Sequence, residues 1–158
     1  INADLIVFPG VGHATKVMEF INKTELKDWI QKYPKPILGI CLGMQILCSF
    51  SEEGNTDCLG VFDSKIIRFD DKIKSPNMGW IYLNSGIDYP FEFEGWFYFV
   101  HSYYLPQSDF EWIKADEPVP FIAAIARDNF LGVQFHPEKS GKYGDQFFLK
   151  LKLWLQSK

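Results

Sequence analysis

Gly39-Ile40-Cys41-Leu42-Gly43 sets a cysteine between two glycines, directly after the apolar run Pro36-Ile37-Leu38-Gly39-Ile40. This is the G-x-nucleophile-x-G form of a strand-to-helix elbow, whose strained bend holds a reactive side chain clear of the backbone. Flanking glycines let strand and helix approach without Cβ collisions. A thiol so placed faces a helix N-terminus, whose free N–H groups favour the thiolate, and the Leu42 N–H can meet a developing oxyanion. A second constellation is Gly132-Val133-Gln134-Phe135-His136-Pro137-Glu138. Residues i and i+2 of extended chain share a side, so Glu138 can accept the ring N–H of His136 and leave the other nitrogen as a base. Cys41, His136 and Glu138 are therefore a candidate nucleophilic triad that only folding can assemble.

Other reactive residue types have less context. His101, inside the aromatic run Tyr98-Phe99-Val100-His101-Ser102-Tyr103-Tyr104, reads as a hydrogen-bonded structural histidine, and His13 as a residue near a site or merely exposed. Cys48, seven residues along the elbow helix, and Cys58 read as packing or surface residues. No two histidines have metal-ligand spacing, so no metal is expected. Pro9-Gly10-Val11-Gly12 lacks the third glycine of a dinucleotide fingerprint and the Gly-Lys-Ser/Thr of a P-loop, so no cofactor is expected. Three cysteines without a CxxC pair support no disulfide framework and suggest a reducing compartment such as the cytoplasm.

The elements that must position these residues follow from patterning. Leu5-Ile6-Val7-Phe8 reads as a buried strand entering a glycine loop. Val17, Phe20 and Ile21, then Leu26, Trp29, Ile30 and Tyr33, give helical apolar faces, with Thr24 as a cap for the second segment. The run Met44, Ile46, Leu47, Phe50 continues the elbow as a helix. Strands are expected around Val61-Phe62, Ile66–Phe69, Trp80–Leu83, Trp96–Tyr104, Phe121–Arg127 and Phe130–His136, with a hairpin turn at Asp128-Asn129. Phe148, Leu151 and Leu155 mark a C-terminal helix. An open α/β sheet thus gives way to additional antiparallel strands.

The chain has 158 residues, 47% apolar and 17% aromatic. One domain over residues 1–158 follows, with no linker or repeat to divide it. A net charge of −4 without a basic cluster argues against nucleic-acid or anionic-membrane partners. The uncharged stretch from Pro36 to Ser51 falls short of the ~20 apolar residues of a membrane span. Asn22-Lys23-Thr24 reads as a surface turn rather than a glycosylation site.

Pro9-Gly10-Val11-Gly12, Gly39-Ile40-Cys41-Leu42-Gly43-Met44-Gln45 and Gln134-Phe135-His136-Pro137-Glu138 together resemble the class I (triad) glutamine amidotransferases. Ser51-Glu52-Glu53-Gly54, Pro76-Asn77-Met78-Gly79-Trp80, the Tyr98–Tyr103 run and Lys139-Ser140-Gly141 look more narrowly like the glutaminase subunit of imidazole glycerol phosphate synthase. The resemblance spans the whole chain. It implies a flavodoxin-like, largely parallel doubly wound sheet, with Cys41 attacking the side-chain amide of L-glutamine, His136 as base and then acid, and Glu138 orienting the ring. It further implies an oxyanion hole from the Val11 and Leu42 N–H groups, and glutamine contacts from Gly10, Gly12, Gln45, Ser102 and Tyr103. Ammonia would pass to a (β/α)-barrel cyclase subunit, met at Asn77, Met78, Trp80 and Lys139. For Trp80 the competing expectation is a core tryptophan.

Three departures bear on this. The family usually places a strand, a helix and a second strand ahead of the position of Ile1, so the chain reads as N-terminally incomplete. Ile81 stands where histidine-pathway members usually have Asn, and the segment Tyr143–Phe148 is unusually aromatic. They leave the acceptor open: alternatives are a sugar amidotransferase partner in surface-polysaccharide synthesis, a free-standing γ-glutamyl cysteine hydrolase, or a non-catalytic subunit.

Overall fold

The computed structural model describes residues 3–86 and 89–157. β1 (Ile6–Phe8) enters the glycine loop, and α1 (Ala14–Lys23) follows with His13 as its cap, the His13 Nδ1 accepting from the Thr15 N–H at 3.3 Å. The inward face of α1 is Ala14, Met18 and Ile21 rather than the expected Val17, Phe20 and Ile21; Phe20 lies in solvent. Thr24 closes α1 instead of opening the next helix. Its hydroxyl donates to the Phe20 carbonyl at 2.7 Å, and α2 (Leu26–Gln31) is entered through Glu25 in the left-handed region.

β2 (Ile37–Ile40) then turns into α3 (Leu42–Leu47). This helix is six residues long and stops before Cys48, because the chain becomes extended there (φ −69°, ψ 177°). Cys48 and Phe50 therefore belong to β3 (Cys48–Ser51), not to the elbow helix; a short apolar run of this length carries no periodicity that separates helix from strand. β4 (Thr56–Asp57) and β5 (Phe62–Arg68) follow. β6 (Asn77–Asn84) is longer than the expected Trp80–Leu83, and β7 (Glu94–His101) starts and ends earlier than the expected Trp96–Tyr104. β8 (Tyr103–Tyr104) is separated from β7 at Ser102, and β9 (Glu111–Ala115) carried no sequence signal that set it apart. β10 (Phe121–Arg127) and β11 (Phe130–Val133) form the expected hairpin, with Arg127 opposite Phe130 and Asp128 at φ 53°. β11 ends before His136, a single 3-10 turn covers Pro137–Lys139, and α4 (Gly141–Gln156) closes the chain.

The main sheet has the order β1-β2-β11-β10-β9, parallel from β1 to β11 and antiparallel beyond. All four residues of β2 and all four of β11 are buried, as parallel strands covered on both faces must be. A second sheet, β4-β3-β5-β8, and the ribbon β6-β7 complete the α/β fold with its antiparallel additions. The aromatic content concentrates behind the site: Phe93 packs against Phe97, Trp112 and Phe147 at ring distances of 5.3, 5.0 and 5.2 Å. Among the described residues no helix is long and apolar enough to cross a membrane.

α3 lies hard against β1. A Cβ at Gly43 would overlap the Phe8 carbonyl, and one at Gly39 would sit 2.6 Å from the Met44 nitrogen. Since both obstacles are backbone, Gly43→Ala is expected to lower stability by about 2 kcal/mol or more, read as a lower urea midpoint at unchanged slope.

Candidate active site

The elbow delivers Cys41 with φ 50° and ψ −107°, a conformation that L-residues avoid and that the surrounding backbone holds in place. The Cys41 N–H donates to the Val133 carbonyl at 2.7 Å, and its carbonyl accepts from the Gln45 N–H at 3.2 Å. One bond thus ties the bend to β11 and the other to its own helix.

Just beyond β11, the His136 N–H donates to the Tyr98 carbonyl at 2.8 Å, and the chain then tightens at Pro137. This brings Glu138 back onto the ring: His136 Nδ1 lies 2.6 Å from Glu138 Oε1. His136 Nε2 is buried and without a hydrogen-bond partner. Gly10 joins the two halves. A Cβ there would lie 2.7 Å from Cys41 Cβ and 2.9 Å from His136 Cε1, so the cysteine and the imidazole flank one small space that only glycine leaves open.

That space belongs to a cleft of about 290 Å³ lined by Gly10, Gly12, Cys41, Leu42, Gln45 and Glu53, and by Pro76, Val100, His101, Ser102 and Tyr103. Of the residues expected to touch substrate, all five line it. Val11, expected as an oxyanion donor, is 71% exposed and does not line the cleft. Glu53 was not singled out; its Oε2 accepts from the Ala14 N–H at 2.7 Å at the start of α1, and nothing in its local pattern distinguishes it from Glu52. Gln134, fully buried, donates from Nε2 to Cys41 Sγ at 3.4 Å. Cys48 and Cys58 are buried away from the cleft.

The expectation that the helix terminus favours the thiolate is outweighed. Burial pushes the Cys41 thiol up to about 11; the Leu42 N–H opposes this, the Glu138 charge adds to it, and Gln134 and Lys139 pull it down. The Cys41 thiol donates to the Val100 carbonyl at 3.8 Å.

His101 lines the cleft and is held on both sides: its Nδ1 donates to the Tyr103 carbonyl at 2.8 Å and its Nε2 accepts from Asn77 Nδ2 at 3.2 Å. Asn77 therefore turns inward. Met78 and Trp80 point the other way, and Trp80 is 51% exposed with its ring edge-on to Tyr98 at 5.6 Å, which excludes the core position. Lys139 is exposed beside the catalytic-candidate turn. Among the described residues no group of three or more His, Cys, Asp or Glu could hold a metal ion.

The elbow on an α/β sheet sets Cys41 in the cleft, with the His136–Glu138 pair reached across Gly10, and residues 2–155 match the family model for glutamine amidotransferase class-I. The chain belongs to the class-I glutamine amidotransferase family and is an enzyme of that family. It is 46% identical to the imidazole glycerol phosphate synthase subunit HisH of Bacteroides fragilis, over 94% of this chain and 81% of that protein. Identity to the subunit of the same name from Escherichia coli K12 is 43%, over 90% of this chain and 76% of the relative. In the solved structures, a glutamine amidotransferase aligns with a TM-score of 0.72 over 96% of this chain and 79% of its own, at 15% identity. PurLQS from Thermotoga maritima aligns at 0.70 over 98% and 81%, at 20% identity; both show the fold.

Burial holds His101 neutral, lowering its pKa from 6.5 to about 4; the bond to the Tyr103 carbonyl opposes this and the nearby His136 adds to it. Between those values the unfolded chain binds a proton that the folded one refuses, so stability falls as pH drops from 6.5 toward 4. The loss attributable to His101 is about 3 kcal/mol. Urea unfolding across this window should show a flatter acid limb in His101→Asn than in wild type.

Proposed function

We propose that the chain is the glutaminase subunit of an imidazole glycerol phosphate synthase, releasing ammonia from L-glutamine for a separate cyclase subunit. The observation that carries the chemistry is the His136–Glu138 contact of 2.6 Å, with His136 Nε2 unpartnered across the Gly10 space from Cys41. The HisH relatives support the pathway.

In this reading glutamine fills the cleft, held by Gln45, Ser102, Tyr103 and the backbone at Gly10 and Gly12. His136 Nε2 takes the thiol proton, leaving an imidazolium that Glu138 stabilises. Cys41 Sγ bonds to the side-chain amide carbon while the Leu42 and Val11 N–H groups meet the oxyanion. Collapse breaks the carbon–nitrogen bond as His136 returns its proton to the departing nitrogen, giving ammonia and a glutamyl thioester. Water, deprotonated by His136, then attacks the thioester; glutamate departs and the thiol is restored. The site lies in the cytoplasm in this reading, as amino-acid biosynthesis requires glutamine and its acceptor together.

The partner would be a (β/α)-barrel seated on the outward face of Met78 and Trp80, with Lys139 at its edge. Exposed aromatic side chains beside a cleft are of the type that anchors interfaces. Asn77 supports that face from behind through His101.

Ammonia release from glutamine with and without the barrel cyclase tests the reading. Cys41→Ser should abolish release while keeping the cooperative unfolding of the parent. Trp80→Ala should weaken association by about 2 kcal/mol and lower partner-stimulated release more than basal release. Stimulation by a sugar amidotransferase instead of the cyclase would move the protein to polysaccharide synthesis. Release unaffected by either partner would make it a free-standing hydrolase, and no release under any condition a non-catalytic subunit.

A further inference from the structure

A backbone carbonyl only accepts hydrogen bonds, and beside this cleft one carbonyl dictates the polarity of two side-chain amides in series. The Tyr103 carbonyl accepts from His101 Nδ1 at 2.8 Å and from Gln45 Nε2 at 3.0 Å. Gln45 must therefore present its NH₂ end, whose second hydrogen reaches Gln134 Oε1 at 2.9 Å. With its oxygen so engaged, Gln134 has only its own NH₂ to offer on the far side, and that group meets Cys41 Sγ at 3.4 Å. An amide turned the other way at any point would set like groups against each other: two donors, or two acceptors. Gln45 is nearly and Gln134 completely buried, so no water stands in for a lost partner.

From this geometry we infer that Gln134 is a further catalytic residue, an N–H donor locked toward Cys41 Sγ by the Tyr103 carbonyl through Gln45. The inference rests on the reading of Cys41 as nucleophile. Sulfur accepts an N–H most strongly as the thiolate, so a donor held there favours the charged form against burial. The thiol proton has its own acceptor in the Val100 carbonyl, so the sulfur can accept from Gln134 while donating elsewhere. Gln45, expected to hold substrate, is also the link that orients Gln134. A glutamine molecule contacting Gln45 therefore acts on the donor that faces the nucleophile. The residue stands two positions before His136, so β11 and the turn that carry the base carry this donor as well.

The test reads the thiol without glutamine, so a protein that failed to hydrolyse glutamine would leave it intact. Full-length wild type, Gln134→Met, Gln134→Glu and Gln45→Met are alkylated with iodoacetamide at pH 8, and modification of the Cys41 peptide is followed by mass spectrometry. Gln134→Met should slow Cys41 alkylation roughly tenfold, the equivalent of about one pKa unit. Gln134→Glu, which sets an acceptor and a charge against the sulfur, should slow it further. Gln45→Met, which frees the Gln134 amide to turn, should slow it less than either. A Gln134 that merely fills space would give the opposite sign, since loosened packing exposes the thiol and speeds its modification. Faster or unchanged alkylation in Gln134→Met, with Cys48 and Cys58 still protected, overturns the inference. Should Gln134→Glu unfold, Gln134→Met decides alone, because it removes the donor without burying a charge.

Discussion

Close backbone contact at four places, Phe8 with Gly43, Gly39 with Gly43, and Gly10 with both Cys41 and His136, is the constraint on which the site depends. It fixes the turn between β2 and α3 so sharply that Cys41 takes a positive φ, and it leaves between the cysteine and the imidazole a space that a Cβ at Gly10 would fill. The parallel pairing of β1, β2 and β11 supplies the rigidity: Phe8, Gly39 and Gly132 lie level across the three strands. Cys41 follows two residues beyond that row, and the chain leading to His136 leaves β11 close by. A bend of this kind is strained by itself and persists because buried strands on both sides over-determine it.

Electrostatics then work against burial. The burial that closes Cys41 off from water raises its thiol, and the charge of Glu138, which lies 2.6 Å from His136, raises it further. What opposes them is two oriented dipoles, the Leu42 N–H and the Gln134 amide, and the positive charge of Lys139. The balance leaves the Cys41 thiol above its ordinary value. The aromatic packing around Phe93, Phe97, Phe135 and Phe147 holds the back of this site, which explains where so many rings are spent and why His136 sits so firmly between Phe135 and Pro137.

The elbow and the His-x-Glu pair were legible because their physics is local: glycine spacing and the two-residue period of extended chain survive in the sequence whatever surrounds them. The parallel strands β2 and β11 were legible as continuous apolar runs, and the β10–β11 hairpin through Asp128-Asn129. Phe50 was misread because four residues of apolar chain carry no period of their own, and tertiary pairing with β5 decided the outcome. Trp80 stood undecided because a strand's two faces are equivalent until the sheet packs, and the ribbon turned Asn77 inward and Trp80 outward. Glu53 and Gln134 stood inside quoted motifs but without a role, for a different reason. Their partners, Ala14, Gln45 and Cys41, lie far away in sequence and are met only in the fold.

The central claim is that Cys41 carries the glutamyl group between amide and acid. Acid quenching of the enzyme during turnover of glutamine with its cyclase partner, followed by peptide mass spectrometry, measures that directly. A single glutamyl adduct on the Cys41 peptide, removed by hydroxylamine and absent without glutamine, is the predicted result. Ammonia production at full rate with no adduct on Cys41, or with the adduct on Cys48, Cys58 or another residue, would contradict it.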